Sequence, residues 1–237
     1  MRRLLLVSFM IVLAANLPFA QQRQVEAPQN NKMPKPDNGS APRNGPLPPA
    51  VIMLNMVQVK APDINCFFNT TCKVTVEDTT SPITIAGAKG SGFLQSRTYK
   101  GAPGSPAAGL YGYEYRVDLT GMSVDSGKIP TFTSFRISFK DPVGSFDFNK
   151  DGKSGDQVFV ITEGGLGDVV PISAVYDGAT ITFTFSNPRL AAGSASSKGQ
   201  TSFFFGLISK NPPRPVGVRA VVNEGTGMNL SARAPSF

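Results

Sequence analysis

Histidine and tryptophan are absent from this sequence of 237 residues, cysteine occurs only twice, and 16% of the residues are charged. Without histidine there can be no Ser-His-Asp or Cys-His catalytic arrangement, no H-E-x-x-H zinc protease and no imidazole acid or base. The net charge of +7 is spread thinly along the chain, whereas nucleic-acid-binding proteins cluster their basic residues. We therefore expect no nucleic-acid partner and none of the histidine-dependent enzyme classes.

The first twenty residues have the pattern of an export signal. Arg2 and Arg3 precede an apolar run from Leu4 to Ala15, which is too short to span a bilayer. We predict a signal peptide over residues 1–20, cleaved after Ala20, and no transmembrane span in the mature chain. The alternatives are cleavage nearer the end of the apolar run or an uncleaved anchor. The expected location is secreted, periplasmic or at the cell surface.

Residues 21–50 differ sharply in composition from the rest of the chain. They contain seven prolines, many glutamine and asparagine residues and no aromatic residue. Such a segment cannot bury enough apolar surface to offset the entropy cost of ordering it. We predict a Pro-rich disordered spacer, which either holds the following domain away from a wall or membrane or has no role of its own.

From residue 51 to residue 237 the pattern is that of β-strands. Short alternating or β-branched runs are separated by Gly, Pro, Asn and Asp at fairly even intervals, and no stretch has a sustained helical period. The predicted class is all-β: an antiparallel two-sheet sandwich, of jelly-roll or other Greek-key type, after the disordered N-terminal segment. The predicted strands are Val51–Val59, Lys73–Glu77, Ile83–Ala86, Gly92–Tyr99, Leu110–Leu119, Thr133–Lys140, Gln157–Thr162, Ala179–Ser186, Thr201–Ser209, Val216–Val222 and Met228–Ala232.

Local patterns add three structural expectations. Asp177-Gly178 precedes one strand as a turn signal, and Asn223 to Gly227 fits a hairpin connection. Phe203, Phe204 and Phe205 follow one another, which predicts a strand buried on both faces.

Cys66 and Cys72 lie in the short segment CFFNTTC of a chain expected to leave the cytoplasm. Oxidising compartments favour disulfide formation, so we predict that the two cysteines pair. The loop is small and restricts the unfolded chain little, so the bond contributes about 2 kcal/mol. The alternative is two unpaired buried thiols. Within the loop, at least one of Phe67 and Phe68 is expected to pack beneath it.

The segment from Asp147 to Asp156 carries the sharpest chemical pattern. Acidic or amide side chains alternate at Asp147, Asn149 and Asp151, and a glycine follows. Calcium takes roughly six to eight oxygen ligands at flexible distances, which such alternation can supply. We predict a calcium site with side-chain ligands Asp147, Asn149, Asp151 and Asp156 and the backbone carbonyl of Lys153. The alternative is a polar turn without a metal.

This D-x-N-x-D-G segment resembles the calcium loops of dockerins and of integrin-type propeller repeats. The resemblance implies Ca²⁺ as a structural cofactor. The segment departs from both patterns, because Val158 stands at the twelfth position and Gly155 at the ninth, where those loops place an acidic residue. The arrangement of export signal, spacer and calcium-type loop resembles secreted bacterial β-sandwich proteins.

Tyr111, Tyr113 and Tyr115 alternate along one predicted strand and share a face. They form either a platform for sugar rings and other flat ligands or a core face whose hydroxyls reach its edge. Glu114 and Asp118 share the other face, roughly 13 Å apart, which is beyond the separation of a glycosidase pair. We expect them in ion pairs on a solvated face.

These observations favour an exported, non-catalytic binding or adhesion module, not an enzyme, with a structural calcium site and an extracellular glycan or protein as its partner. One alternative is a structural subunit of an extracellular layer or fibre, in which the tail 21–50 docks on a neighbour. Another is a hydrolase built on carboxylates.

Overall fold

Strands dominate the architecture of the protein. The computed structural model describes residues 50–186, 189–223 and 225–235. The predicted signal peptide at 1–20 and the predicted spacer at 21–50, except Ala50, therefore lie outside the described residues. Within the described ranges no helix is long and apolar enough to cross a membrane. The elements are β1 (Ile52–Met53), β2 (Met56–Lys60), α1 (Ala61–Phe68), β3 (Glu77–Ile83), β4 (Lys89–Gly90), β5 (Gly92–Lys100), β6 (Tyr111–Asp118), β7 (Met122–Val124), β8 (Thr131–Ser138), β9 (Val158–Glu163), β10 (Ser173–Tyr176), β11 (Thr180–Thr184), β12 (Leu190–Ala191), β13 (Gly193–Ser194), β14 (Phe204–Ser209), β15 (Pro213–Val222) and β16 (Thr226–Pro235).

The strands form two large sheets and a small one. Sheet A has the order β1-β10-β11-β8-β15-β16, with β12 also paired to β8; sheet B has the order β2-β9-β14-β6-β5-β3; sheet C is β13-β7-β4. Strand pairs are antiparallel except β2 with β9 and β13 with β7, which are parallel. The predicted all-β sandwich is confirmed, with a third sheet and two parallel pairs that the sequence pattern did not indicate.

The main core lies between sheets A and B and is rich in aromatic rings. The ring of Tyr115 from sheet B lies 5.6 Å from that of Phe135 in sheet A, and Phe183 lies 4.7 Å from Phe205 across the same interface. Successive side chains of a strand point to opposite faces, so alternate apolar residues of each strand enter this core. The predicted alternation of apolar residues in β8 and β11 is confirmed.

A second apolar cluster covers the outer face of sheet B. Phe159 and Ile161 of β9 and Phe204 and Ile208 of β14 point away from the main core and pack with Phe68 of α1. Both β9 and β14 are therefore buried on their two faces. For β14 this confirms the prediction made from the run of phenylalanines. This cover makes the outer face of sheet B a partly enclosed surface.

The two predicted turns are confirmed. Asp177 Oδ1 accepts hydrogen bonds from the backbone N–H of Ala179 at 3.2 Å and of Thr180 at 2.8 Å, which holds the turn between β10 and β11. Asn223, at a φ of 48°, begins the turn that joins β15 to β16. Asparagine tolerates this left-handed conformation better than most residues.

Several elements differ from the prediction. The short strands β4, β7, β12 and β13 were not predicted, and the predicted strands Lys73–Glu77 and Ile83–Ala86 are wrong except at Glu77 and Ile83, which belong to β3. Helix α1 occupies a stretch for which no helix was predicted, because it is only eight residues long and buries just Ile64 and Phe68, one turn apart. Strand β3 fills the gap between two predicted strands; its sequence is polar because it is an edge strand with little burial, and Pro82 is tolerated there. Strand β10 has four residues, too few for a clear alternation.

Candidate functional site

A row of cross-strand neighbours runs over the outer face of sheet B and places charged residues beside apolar ones. Asp78 of β3 pairs with Arg97 of β5, Arg97 with Glu114 of β6, and Glu114 with Gly206 of β14. Gly206 in turn pairs with Phe159 of β9. Directly opposed residues on one face lie close enough for their side chains to interact. The register of the sheet therefore places the cationic side chain of Arg97 between the acidic side chains of Asp78 and Glu114.

Arg97 is fixed by its neighbours on two sides. Its Nε donates to Asp78 Oδ1 at 3.0 Å and its Nη2 to Asp78 Oδ2 at 3.2 Å, a two-point contact that orients the guanidinium plane. The guanidinium carbon lies 4.4 Å from the centroid of the Phe204 ring. The remaining nitrogen, Nη1, points towards Glu114, and its distance to Glu114 Oε2 is 3.8 Å.

Glu114 is a buried carboxyl group with only 3% of its surface exposed. The hydroxyl of Tyr99 donates to Oε1, whereas Oε2 accepts no hydrogen bond from any described residue. Burial raises the pKa of Glu114 to about 7, although the hydrogen bond from Tyr99 and the charge of Arg97 act in the opposite direction. Burial also raises the pKa of Tyr99 well above its usual value, so its hydroxyl stays neutral and donates.

Gly112 makes room for this arrangement. A Cβ atom at position 112 would lie 2.3 Å from Cε2 of Tyr99 and 2.9 Å from Cζ of Phe68. The Tyr99 ring instead lies against the bare backbone of β6 and packs edge-on against Phe68, with ring centroids 4.5 Å apart. From there its hydroxyl reaches Glu114, two residues along β6 from Gly112.

An outer cavity of about 260 Å³ opens above these groups. Arg97, Tyr99 and Glu114 are its polar residues within sheet B. Its apolar walls come from α1, from the segment before β3, from β9 and β14, and from the glycine-containing loop after β9. The apolar wall residues are Ala61, Val74, Val76, Ile161, Leu166 and Phe204. A neighbouring cavity of about 340 Å³ shares Val74 and Tyr99 with the outer cavity.

The predicted disulfide between Cys66 and Cys72 is confirmed, and it joins two segments that line the outer cavity. Cys66 lies in α1, and Cys72 leads directly into the segment that supplies Val74 and Val76. Both phenylalanines of the loop pack inward: Phe68 is fully buried, and Phe67 contacts the rings of Phe146 and Phe148. The bond therefore ties one wall of the cavity to the helix.

The predicted calcium residues 147–153 form one compact turn. Asp147 accepts hydrogen bonds from the backbone N–H of Asp151 at 3.0 Å and of Gly152 at 2.9 Å, and Asp151 accepts from Lys153 at 2.8 Å. Asn149 accepts from Asp151 at 3.2 Å. Among the described residues no group of three or more acidic, cysteine or histidine side chains is placed to hold a metal ion. The turn brings together Asp147, Asn149 and Asp151 but supplies only two carboxylates.

Asp156 does not join the other four predicted calcium ligands. Its side chain is buried, its Oδ2 accepts the backbone N–H of Phe148 at 2.7 Å, and its Oδ1 accepts the side-chain N–H of Asn55 at 3.2 Å. One oxygen thus closes the 147–156 segment on itself, and the other joins the segment to the connection between β1 and β2.

Two of the three platform tyrosines lie in the core instead. Tyr113 and Tyr115 are fully buried between the sheets, and their hydroxyls donate to the backbone oxygens of Asn211 and Arg233. Tyr111 alone borders a cavity, the neighbouring one, with Lys100 Nζ at 5.6 Å from its ring centroid. The platform of three exposed rings does not exist, because the face they share is the inner face of sheet B.

The opposite face of β6 also differs from the prediction. The predicted ion pairs are present, Glu114 with Arg97 and Asp118 with Arg116. The predicted solvation is wrong, because α1, Phe204 and the nearby loops cover that face and bury both acids. Arg97 and Tyr99 were not singled out at all. A signal was present in the alternation of Arg97 and Tyr99 along β5 and of Glu114 along β6, but it gains meaning only with the register that pairs these strands.

Comparison of the chain with protein-family models, with curated proteins and with solved structures finds no match.

Proposed function

We propose that this protein is an exported, non-catalytic binding or adhesion module whose ligand occupies the outer cavity. The observation that carries the proposal is the ion pair of Glu114 and Arg97 at the polar base of an open cavity with apolar walls, in which Glu114 Oε2 lies 3.8 Å from Arg97 Nη1 and accepts no hydrogen bond from a described residue. Because Oε2 and Nη1 are too far apart to be hydrogen-bonded to each other, a ligand in the cavity can form a hydrogen bond with each of them. Binding sites of this kind combine apolar walls with a few fixed polar groups.

The composition of the cavity favours binding over hydrolysis. Among the described residues that line the cavity Glu114 has the only carboxyl group, and the nearest acid in the row, Asp78, is held by Arg97. Glycoside hydrolysis by the usual route needs two carboxyl groups that flank the bond to be cleaved. Asp118 is engaged elsewhere, since its Oδ1 accepts the backbone N–H of Thr120 at 2.9 Å.

A periplasmic, secreted or cell-surface location is part of the proposal. The disulfide supports it, because such bonds persist in oxidising compartments. The predicted export signal at residues 1–20 supports it independently of the fold.

A screen of ligand classes tests the binding function. Midpoints of thermal unfolding are measured for the wild type and for Leu166→Arg, which places a charged side chain at the exposed rim of the cavity, in the presence of oligosaccharides, peptides and small metabolites. We expect at least one class to raise the wild-type midpoint and to leave that of the variant unchanged. If no class raises the wild-type midpoint, or if a broad hydrolase screen shows turnover, the proposal fails.

A structural calcium ion in the turn 147–153 remains part of the proposed function. The supporting observation is the convergence of Asp147, Asn149 and Asp151 around one bend, with the carbonyl of Lys153 as a fourth oxygen. Binding to the folded state alone adds about 2.7 kcal/mol at a hundredfold excess over the dissociation constant. We expect calcium to raise the unfolding midpoint of the wild type and of Ser154→Ala but not of Asp151→Ala. An unchanged wild-type midpoint with calcium and with chelator, together with no calorimetric binding at millimolar calcium, contradicts the site.

The second candidate function, a structural subunit of a layer or fibre, rests on a different surface. Strand β1 is an end strand of sheet A, and its apolar side chains are exposed: 49% for Ile52 and 70% for Met53. Exposed apolar strand edges pair readily with other chains. Light scattering over a range of concentrations tests this. Polymers in the wild type that Met53→Lys abolishes favour the subunit, whereas a monomer at all concentrations excludes it.

A further inference from the structure

The polar base of the outer cavity holds an ion pair whose two facing atoms are not hydrogen-bonded to each other. Glu114 Oε2 and Arg97 Nη1 lie 3.8 Å apart, too far for a hydrogen bond, and neither has another hydrogen-bond partner among the described residues. Both groups are held in place, Arg97 by Asp78 and Glu114 by the hydroxyl of Tyr99. The pair is therefore a preformed two-point contact.

We propose that this pair recognises two adjacent hydroxyl groups of a neutral sugar ring, one bonded to Glu114 Oε2 and the next accepting from Arg97 Nη1. The proposal names the ligand class of the outer cavity and so rests on the proposed binding function. Adjacent ring hydroxyls suit the spacing, since each can lie within hydrogen-bond distance of one of two atoms that do not bond to each other. The two polar atoms of a carboxylate or an amide lie closer together and match this separation less well.

Charge also favours a neutral ligand. An anion bound by Arg97 would lie beside Glu114 and Asp78, and a cation bound by Glu114 would lie beside Arg97. In each case the ligand would be repelled by a nearby side chain of the same charge. A hydroxyl avoids both, and it can donate to a carboxylate or accept from a carboxylic acid, so it fits Glu114 in either protonation state.

The size and walls of the site agree with this class. About 260 Å³ accommodates a single ring, and the apolar side chains of Val76, Ile161 and Leu166 offer surface to its C–H groups. The neighbouring cavity continues past Val74 and Tyr99, so a second ring has space along the same face. We therefore expect oligosaccharides of two or more neutral rings to bind more tightly than single rings.

A glycan array followed by calorimetry tests the inference on the full-length chain. We expect binding to neutral oligosaccharides that carry adjacent free hydroxyls and at least a tenfold weaker dissociation constant, roughly the worth of one hydrogen bond, for analogues that lack one of them. Glu114→Gln should weaken binding by about tenfold. Leu166→Ala, at the exposed rim, should weaken it severalfold, whereas the matched exposed control Ile172→Ala should not.

The possible outcomes separate this inference from the function on which it rests. If neutral glycans bind the wild type and both variants, Glu114→Gln and Leu166→Ala, with equal affinity, the glycan-binding site is not the outer cavity, and the inference is overturned. Binding of a peptide or charged solute in the cavity, with no neutral glycan bound, also overturns the inference but leaves the binding module intact. Absence of any ligand overturns both. Because Leu166 is exposed, its variant remains informative even if Glu114→Gln fails to fold.

Discussion

A carboxyl group as deeply buried as Glu114 is costly unless something compensates for it. Removal from water disfavours the ionised form, and the hydrogen bond from Tyr99 and the charge of Arg97 offset only part of that effect. Groups with a shifted pKa occur in structural ion-pair networks as well as in functional sites. The cavity above Glu114 favours a functional site. Asp78, Arg97 and Tyr99 are the charged and titratable groups that face Glu114.

The raised pKa of Glu114 predicts a specific dependence of stability on pH. The folded protein holds this proton more tightly than the unfolded chain, so the stability that the proton contributes is full below about pH 4.5 and is lost as the pH rises through about 7. Glu114→Gln removes this dependence. Between these two pH values we expect the free energy of unfolding of the wild type to fall by up to about 3 kcal/mol relative to that of the variant. Denaturant unfolding of both proteins at several pH values measures this; parallel curves would contradict it.

Gly112 provides a second test at one position. A methyl group there would collide with the Tyr99 ring and with Phe68, so Gly112→Ala should destabilise the protein by about 1–3 kcal/mol. The matched control is Gly217→Ala in β15, where no atom lies within 4 Å of an added Cβ. We expect the control to change the free energy of unfolding by less than about 0.5 kcal/mol. Equal losses in the two variants would show that Gly112 does not make room for Tyr99.

Single residues of the site could be predicted only in part. The roles of the two cysteines and of the turn residues can be predicted from residue type and spacing, because these roles depend on local sequence. Glu114 does not, since whether its face of β6 is solvated depends on α1 and on Phe204, which are distant in the sequence. Likewise, the sequence does not show which face of β6 is turned towards sheet A, and therefore does not show that Tyr113 and Tyr115 point into the core.

The segment from residue 147 to residue 156 combines an exposed turn with a buried anchor. The turn holds itself through short-range bonds to Asp147, whereas Asp156 joins the segment to the connection between β1 and β2. A pattern of alternating acids predicts the turn correctly. It cannot separate a ligand from an anchor, because the pattern does not record burial.

This division predicts unequal effects for two aspartates in the absence of calcium. Asp156→Ala leaves the buried N–H of Phe148 without its acceptor, so we expect a loss of about 1–3 kcal/mol. Asp151→Ala removes only an exposed bond to Lys153 and should cost about 0.5 kcal/mol or less. Chemical denaturation in the presence of chelator measures both. A larger loss for Asp151→Ala would mean that the turn, not the anchor, stabilises the segment.

The disulfide joins α1 to the segment that forms one wall of the outer cavity. Replacing both cysteines by serine should cost about 2 kcal/mol, because the closed loop is short. We expect ligand affinity to fall more than this modest loss of stability suggests, since Val74 and Val76 are then free to move away from the site. Calorimetry of the double variant at a temperature where it is fully folded separates the two effects. Unchanged affinity would show that the wall is held by packing alone.

The two sheets of the sandwich are closed along one side by side chains that reach across. Ser81 and Ser96 of sheet B accept the backbone N–H groups of Ser231 and Arg233 in β16, and Tyr115 donates to the backbone oxygen of Arg233. Three backbone groups of this end strand of sheet A are therefore bonded to the other sheet, which makes the strand less available for pairing with another chain. The class of the fold could be predicted because alternation and turn residues are local signals. The strand order could not, because it depends on pairings between distant segments.

The extent of the folding unit gives the last prediction. The buried apolar side chains of the described residues begin at Leu54, so a chain that begins at Pro49 retains the whole of that core. We expect it to unfold in one cooperative transition with the midpoint of the full-length chain. A chain that begins at Met56 lacks β1 and Leu54, and we expect it to lose about 2–5 kcal/mol. Calorimetry of the three chains measures these differences. If the chain from Pro49 loses its transition, residues before it contribute to the fold and cannot be a spacer.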